Sequence, residues 1–286
     1  MARIKDHIFP LALLAPLIGL IGLSFGYMLL RSFLDQRMFR LGGWVGLSNY
    51  CEVLSSTHFW SSMRFGLTWA LETVVLQTVV GLALAILLNE TFRGRGAARA
   101  LIFLPYLLMV PVTTILFLIL FSSTFGVVSV YLRELGSNIF WYDKTHAPIL
   151  LTIAAGWQYA PFSMLILLAG LQSIPADLYE AAKIDGAGSW GRFVHVTLPG
   201  IRDAIFVAVV LRVILMFNKF DLPWLMTAGG PMRATENVAV YAYKEAFESF
   251  NLGTASAAGT IMLITVGILV FVHFKVYARI AGSHEL

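Results

Sequence analysis

The chain has 286 residues, of which 58% are hydrophobic and 13% charged, with a formal net charge of +4. A soluble domain carries about a quarter charged residues to wet its surface, so this composition excludes a water-soluble globular protein and sets much of the surface against lipid. The small, scattered positive charge excludes a nucleic-acid partner, and the single cysteine, Cys51, excludes a disulfide framework or a cysteine-based metal site.

About 20 apolar residues are needed to cross the hydrocarbon core as a helix. Six runs qualify, at 8–30, 66–88, 100–121, 148–171, 201–226 and 253–274. The first follows the short basic start Met1–Lys5, but it is too long for a signal-peptide core, lacks a small-residue cleavage site and precedes Arg31; it reads as a retained first span. The fifth carries Arg212, Lys219 and Asp221, which makes its outer half the least regular. The expected fold is an all-α membrane protein of six transmembrane helices, forming one domain over residues 1–286.

Six spans put both termini on one side, and the basic residues choose the side. With the N-terminus inside, the short inner segments hold Arg3, Lys5, Arg93, Arg95, Arg99, Lys183, Arg192, Lys275 and Arg279, with Arg202 at the entrance of the fifth run. The longer outer segments, 31–65, 122–147 and 227–252, hold eight basic residues and carry the interfacial aromatics Trp44, Trp60, Trp141 and Tyr142. The spacing predicts cytoplasmic termini.

The longest inner loop, 172–200, is the most informative segment. Pro175 followed by Asp177 and Glu180 marks a helix start, and Leu178, Ala181 and Ile184 fall on one face. Gly186 and Gly188 stop that helix, and Pro199 closes a second short helix before the next run. A short, alanine-rich helix with few bulky anchors is a poor lipid-surface helix. It suits docking into a protein groove instead.

This loop resembles the EAA motif of type I ABC importer permeases, through Glu180-Ala181-Ala182, Asp185-Gly186-Ala187 and Leu198-Pro199 at fixed spacing. One departure is Arg202, where that family often places a second proline. The segments Trp44–Tyr50, Thr227-Ala228-Gly229-Gly230-Pro231 and Gly253–Ala257 are similar to those of the first permease subunit in maltose-type carbohydrate importers. The resemblance implies a second permease subunit as heterodimer partner, and an ATPase dimer that receives the loop helix and holds the ATP and Mg. It also implies a periplasmic or surface solute-binding protein that delivers a sugar or sugar-like solute. No cofactor is expected on this chain, and its setting is the bacterial inner membrane and its lipid.

Sugar paths combine aromatic faces with amide hydrogen bonds, and Trp157, Gln158, Tyr159, Asn218 and Trp224 have that chemistry. Any one of them also fits plain interhelical packing. Arg212 and Lys219, seven apart, share one helix face, with Glu72 able to oppose them; Arg212 reads as structural, in an internal ion pair or snorkelling toward an interface, while Lys219 and Asp221 stay open between gate and surface. No phosphate-binding loop, nucleophile elbow or paired histidine occurs; His58, His146, His195 and His273 are scattered. An ion-gradient transporter would need interrupted spans at matched positions in two repeats, and no such pairing is visible. An enzyme lacks its cluster, and a scaffold leaves the docking loop unexplained.

Overall fold

The computed structural model describes residues 19–37, 42–137 and 139–282. The described residues pack as two compact units, one drawn from positions up to 61 and from 238–265, the other from 62–237 and from 266 onward. Among the described residues it is helical, with two isolated antiparallel bridges, Leu34 to Trp44 and Arg37 to Asn251, and no strand.

In the first unit, helix α1 (Gly19–Arg31) leads to a loop clasped by α2 (Ser48–Ser55). The buried Asn49 amide donates to the carbonyls of Ser32 and Leu34, both at 2.9 Å. The Ser32 and Tyr50 hydroxyls meet at 2.6 Å, and Phe33 stacks on Trp44. These bonds satisfy a stretch of backbone that no helix or sheet serves, and they give the Trp44–Tyr50 motif a structural task. Helix α13 (Val238–Phe247) sets Tyr241 edge-on to Phe59. Residues 8–18, about half of the expected first span, lie outside the described residues.

Helices α3 (Thr57–Asn89), α7 (His146–Gln172) and α14 (Leu252–Gly282) are each long and apolar enough to cross a membrane. They match the second, fourth and sixth expected runs. Leu71, Val75 and Val79 form an exposed apolar stripe along α3, the surface that lipid covers.

Two runs depart from expectation. The third is not one rod. It is α4 (Arg95–Leu107) and α5 (Val110–Leu120), bent by 94° at Leu108-Met109. Pro111 opens α5 without an N–H to continue the ladder, and Pro105 sits inside the last turn of α4. The fifth run is divided into α11 (Arg202–Phe217) and α12 (Asp221–Thr227). Its polar break is stabilised locally: the Asn218 amide turns back to the Ile214 carbonyl, and the Asp221 carboxylate accepts the Leu222 N–H. At 1.5 Å per residue, α11 alone falls short of the hydrocarbon core. Among the described residues, three helices are long and apolar enough to span on their own and the third run forms one bent pair, while the first of the six expected runs is described only in its second half.

In the second unit α7 is the central post, flanked by α4, α5, α11 and α12. Ala85 and Leu88 of α3, Met164, Leu167 and Leu171 of α7, and Ile201 form its buried apolar cluster. Glycines permit close approach of the helices: a Cβ on Gly81 would lie 2.8 Å from the Ser163 Cβ, and one on Gly170 2.6 Å from the Ala204 Cβ. A short outer helix, α6 (Val127–Glu134), precedes Trp141, which is buried edge-on to Phe121.

Candidate functional site

The loop after α7 folds as its punctuation demands. Helix α8 (Ala176–Ile184) starts after Pro175, with Asp177 in its first turn and Lys183 in its last. It ends in a double hydrogen bond. The Gly186 N–H bonds the Lys183 carbonyl at 3.1 Å and the Ala187 N–H reaches the Ala182 carbonyl at 2.9 Å. Gly186 has φ +79°, the left-handed conformation that favours glycine. This is the Schellman arrangement, so Asp185-Gly186-Ala187 is a stop signal built into the backbone.

The chain resumes at α9 (Ser189–Arg192), widens into a π turn over Phe193–Thr197, and continues as α10 (Leu198–Gly200). Pro199 has no N–H for the carbonyl four residues back, and the Leu198 N–H closes instead on Phe193, five residues back. The Tyr179 hydroxyl meets Thr197 Oγ1 at 3.0 Å, tying the first helix to the return segment.

No residue of α8 is buried. Glu180, Ala181, Asp185 and Gly186 are exposed, Ala182 and Ala187 half-buried, and Leu198 and Pro199 exposed at the far end. Leu178, Ile184 and Trp190 are exposed as well, Ile184 by 86%. The loop thus presents exposed apolar side chains among acidic ones. A hollow of about 410 Å³ lies beside it, walled by Asn89, Glu90, Tyr179, Arg192 and Phe193.

A second feature lies where α7 faces the break between α11 and α12. A cleft of about 480 Å³ is lined by Tyr106, Tyr159, Arg212, Asn218, Lys219 and Asp221, among others. Arg212 is 1% exposed, and its guanidinium donates to the Tyr159 carbonyl at 2.9 Å. The Phe162 ring lies 4.3 Å from that guanidinium, and the Tyr159 ring 4.6 Å from the Lys219 ammonium. Lys219 pairs with Asp221 at 3.0 Å.

Of the five expected path residues, the cleft brings together Tyr159 and Asn218. Gln158 is buried and donates to the Leu108 carbonyl at 3.1 Å. Trp157 packs on Phe117, and Trp224 stacks on Phe220 beside a separate hollow of about 500 Å³ with Tyr142 and Pro231. Glu72, able by sequence to oppose Arg212, makes no ion pair with it among the described residues; it accepts instead from Thr152 at 3.4 Å. Lys219 lies past the end of α11, so a shared helix face does not relate it to Arg212. Tyr106 and Phe162 were missed because an aromatic in an apolar run gives no signal by itself. The arginine in the fifth run was the signal that marked this place.

The Thr227–Pro231 motif forms a turn, with the Thr227 and Thr235 hydroxyls at 2.6 Å and Thr235 donating to the Gly230 carbonyl at 2.7 Å. Asn237 donates to the Lys219 carbonyl at 2.6 Å, so the turn also fixes the cleft's rim.

Comparison with known proteins agrees with this architecture. The trehalose/maltose transport permease MalF of Thermococcus litoralis is 36% identical over 82% of this chain and 79% of its own length. The sulfoquinovosyl glycerol transport permease SmoG of Agrobacterium fabrum is 35% identical, over 76% and 71%. A chain of a bacterial ABC transporter that imports the acidic polysaccharide alginate superposes with a TM-score of 0.80 at 22% identity, covering 97% of this chain and 99% of that one. That likeness fixes the fold. Residues 77–279 match the family described as binding-protein-dependent transport system inner membrane component, and with most of its length matched the chain belongs to that family.

Proposed function

We propose that the chain forms half of the translocation pore of an ATP-driven importer for a sugar or sugar-like solute, paired with a second, homologous permease subunit. An ATPase dimer receives α8, with Glu180 near a basic residue of that partner, and ATP and Mg bind there rather than on this chain. A receptor outside the membrane delivers the solute, and both termini face the cytoplasm. The relatives named for trehalose/maltose and for sulfoquinovosyl glycerol support a carbohydrate solute. An importer crystallised with its periplasmic protein bound supports the receptor. The cleft between α7 and the α11–α12 break is the solute path in this reading, with Tyr159 and Asn218 on its wall.

The observation that carries the proposal is α8 itself: a capped helix with no buried residue, presenting Glu180, Ala181 and Asp185. Closure of the ATPase pair moves such a lever, and the Tyr179–Thr197 tie passes the motion to α10 and α11. The test is to purify the tagged chain in mild detergent and identify its companions by mass spectrometry. An ATPase and a second permease are expected. Recovery of the chain alone, with ion-driven and ATP-independent transport in liposomes, would contradict the proposal.

A further inference from the structure

Arg212 is buried and carries a charge that its own hydrogen bond does not need. Among the described residues its one hydrogen bond is to the Tyr159 carbonyl, which a neutral amide would serve at far lower desolvation cost. The Nε is buried without an acceptor, and among the described residues no carboxylate pairs with the guanidinium. The aromatic faces of Phe162 and Tyr159, 4.3 and 5.5 Å away, soften the cost of holding that cation. They do not neutralise it. Intramembrane charges left in this condition face a partner or a pathway.

The cleft supplies the rest of a site. Lys219 brings a second cation, its side chain 18% exposed, and among the described residues Asp221 is the one carboxylate paired with it, at 3.0 Å. Two cations and one carboxylate therefore line a space of about 480 Å³, within the range of small-molecule sites. The Tyr159 hydroxyl is buried without a hydrogen-bond partner, and Asn218 stands exposed on the rim. Aromatic faces, a free hydroxyl, an amide and excess positive charge together fit a sugar ring that carries an acid group.

We propose that the cleft selects an anionic saccharide, one bearing a carboxylate or sulfonate, with Arg212 binding the acid group through its planar fork and Lys219 adding a second positive charge. A guanidinium matches a carboxylate or sulfonate edge with parallel hydrogen bonds, which an ammonium cannot do. This inference rests on the reading of the cleft as the solute path.

The test is saturation-transfer NMR on the purified membrane complex without its external receptor, using digalacturonate and the neutral disaccharide galactobiose as probes. Digalacturonate is expected to bind at least about ten-fold more tightly, with the preference shrinking as salt rises. Arg212→Gln should abolish the preference, and Arg212→Lys should keep part of it. Lys219→Gln, at a helix break and safer for folding, should lower it several-fold. Equal binding of the two sugars overturns the anionic class while leaving the solute path standing. Binding of neither removes the cleft as a path and the inference with it. A preference that survives Arg212→Gln places selectivity elsewhere.

Discussion

The Gln158 amide donates to the Leu108 carbonyl at 3.1 Å, at the place where the third apolar run turns by 94°. The break strips the Leu108 carbonyl of a helical partner, and a carbonyl left unpaired away from water costs about 1–3 kcal/mol. Gln158 is itself 1% exposed on α7, so one side chain both satisfies the bend and joins α7 to it. Gln158→Leu should therefore lower stability by about 1–2 kcal/mol, read as a drop in thermal unfolding temperature in detergent. Gln158→Glu in its protonated form retains a donor and should fall less. Equal loss in the two variants would mean that packing, rather than the hydrogen bond, holds the bend.

Gly186 is a second position where the backbone dictates the residue. Its φ of +79° costs an L-residue with a Cβ about 1–2 kcal/mol, and no neighbour lies within 4 Å of the Cβ it lacks. Any penalty is thus conformational, not steric. Gly186→Val should fray the end of α8 and uncouple ATP hydrolysis from uptake, while Gly186→Asn, which tolerates the left-handed region, should keep much of the coupling. Gly186→Pro and Glu180→Lys should abolish uptake with membrane insertion unchanged. The check is solute uptake and ATPase rate in the same proteoliposomes, and normal uptake by Glu180→Lys would sink the docking role.

The loop after α7 was legible because its message is local. Proline, glycine and a leucine-proline pair act on their own neighbours, so α8, its cap and the return segment follow from spacing alone. The apolar runs at 66–88, 148–171 and 253–274 were legible for a similar reason, since length and hydropathy suffice. The bend at Leu108-Met109 was not, although Pro105 and Pro111 both stand in the sequence, because membrane helices often absorb a proline. Whether a run bends depends on a donor elsewhere, here Gln158, fifty residues on. The cleft was only half legible for the same cause: Arg212 stands out, but its companions Tyr106 and Phe162 become visible only when α4 and α7 are set beside α11.

Close approach of α7 and α11 depends on Gly170, where an added Cβ would sit 2.6 Å from the Ala204 Cβ. Gly170→Ala should destabilise the protein by about 1–3 kcal/mol through overpacking. Adding Ala204→Gly removes the opposing atom and should restore most of that loss. A double-mutant cycle on thermal unfolding measures the coupling. Additive losses from the two substitutions would show that the helices do not meet at this pair.

The start of α7 carries a pH dependence. The Asp143 carboxylate accepts the N–H groups of His146 at 2.7 Å and Thr145 at 2.8 Å, and its second oxygen meets His146 Nδ1 at 2.9 Å. The hydrogen bond from the His146 backbone, then that from its ring, holds the Asp143 carboxyl below the usual carboxylate range. A lowered folded value means that the charged form stabilises the folded state. That contribution is complete above the ordinary aspartate value, about 3.9, and is lost as pH falls through the depressed value. Amide exchange at Thr145 and His146, corrected for its intrinsic pH dependence, should thus lose protection below about pH 4 while the interior of α7 is unchanged. Asp143→Asn keeps a neutral acceptor and should make that protection weaker and independent of pH. The same acid-induced loss in Asp143→Asn would assign the effect to another group.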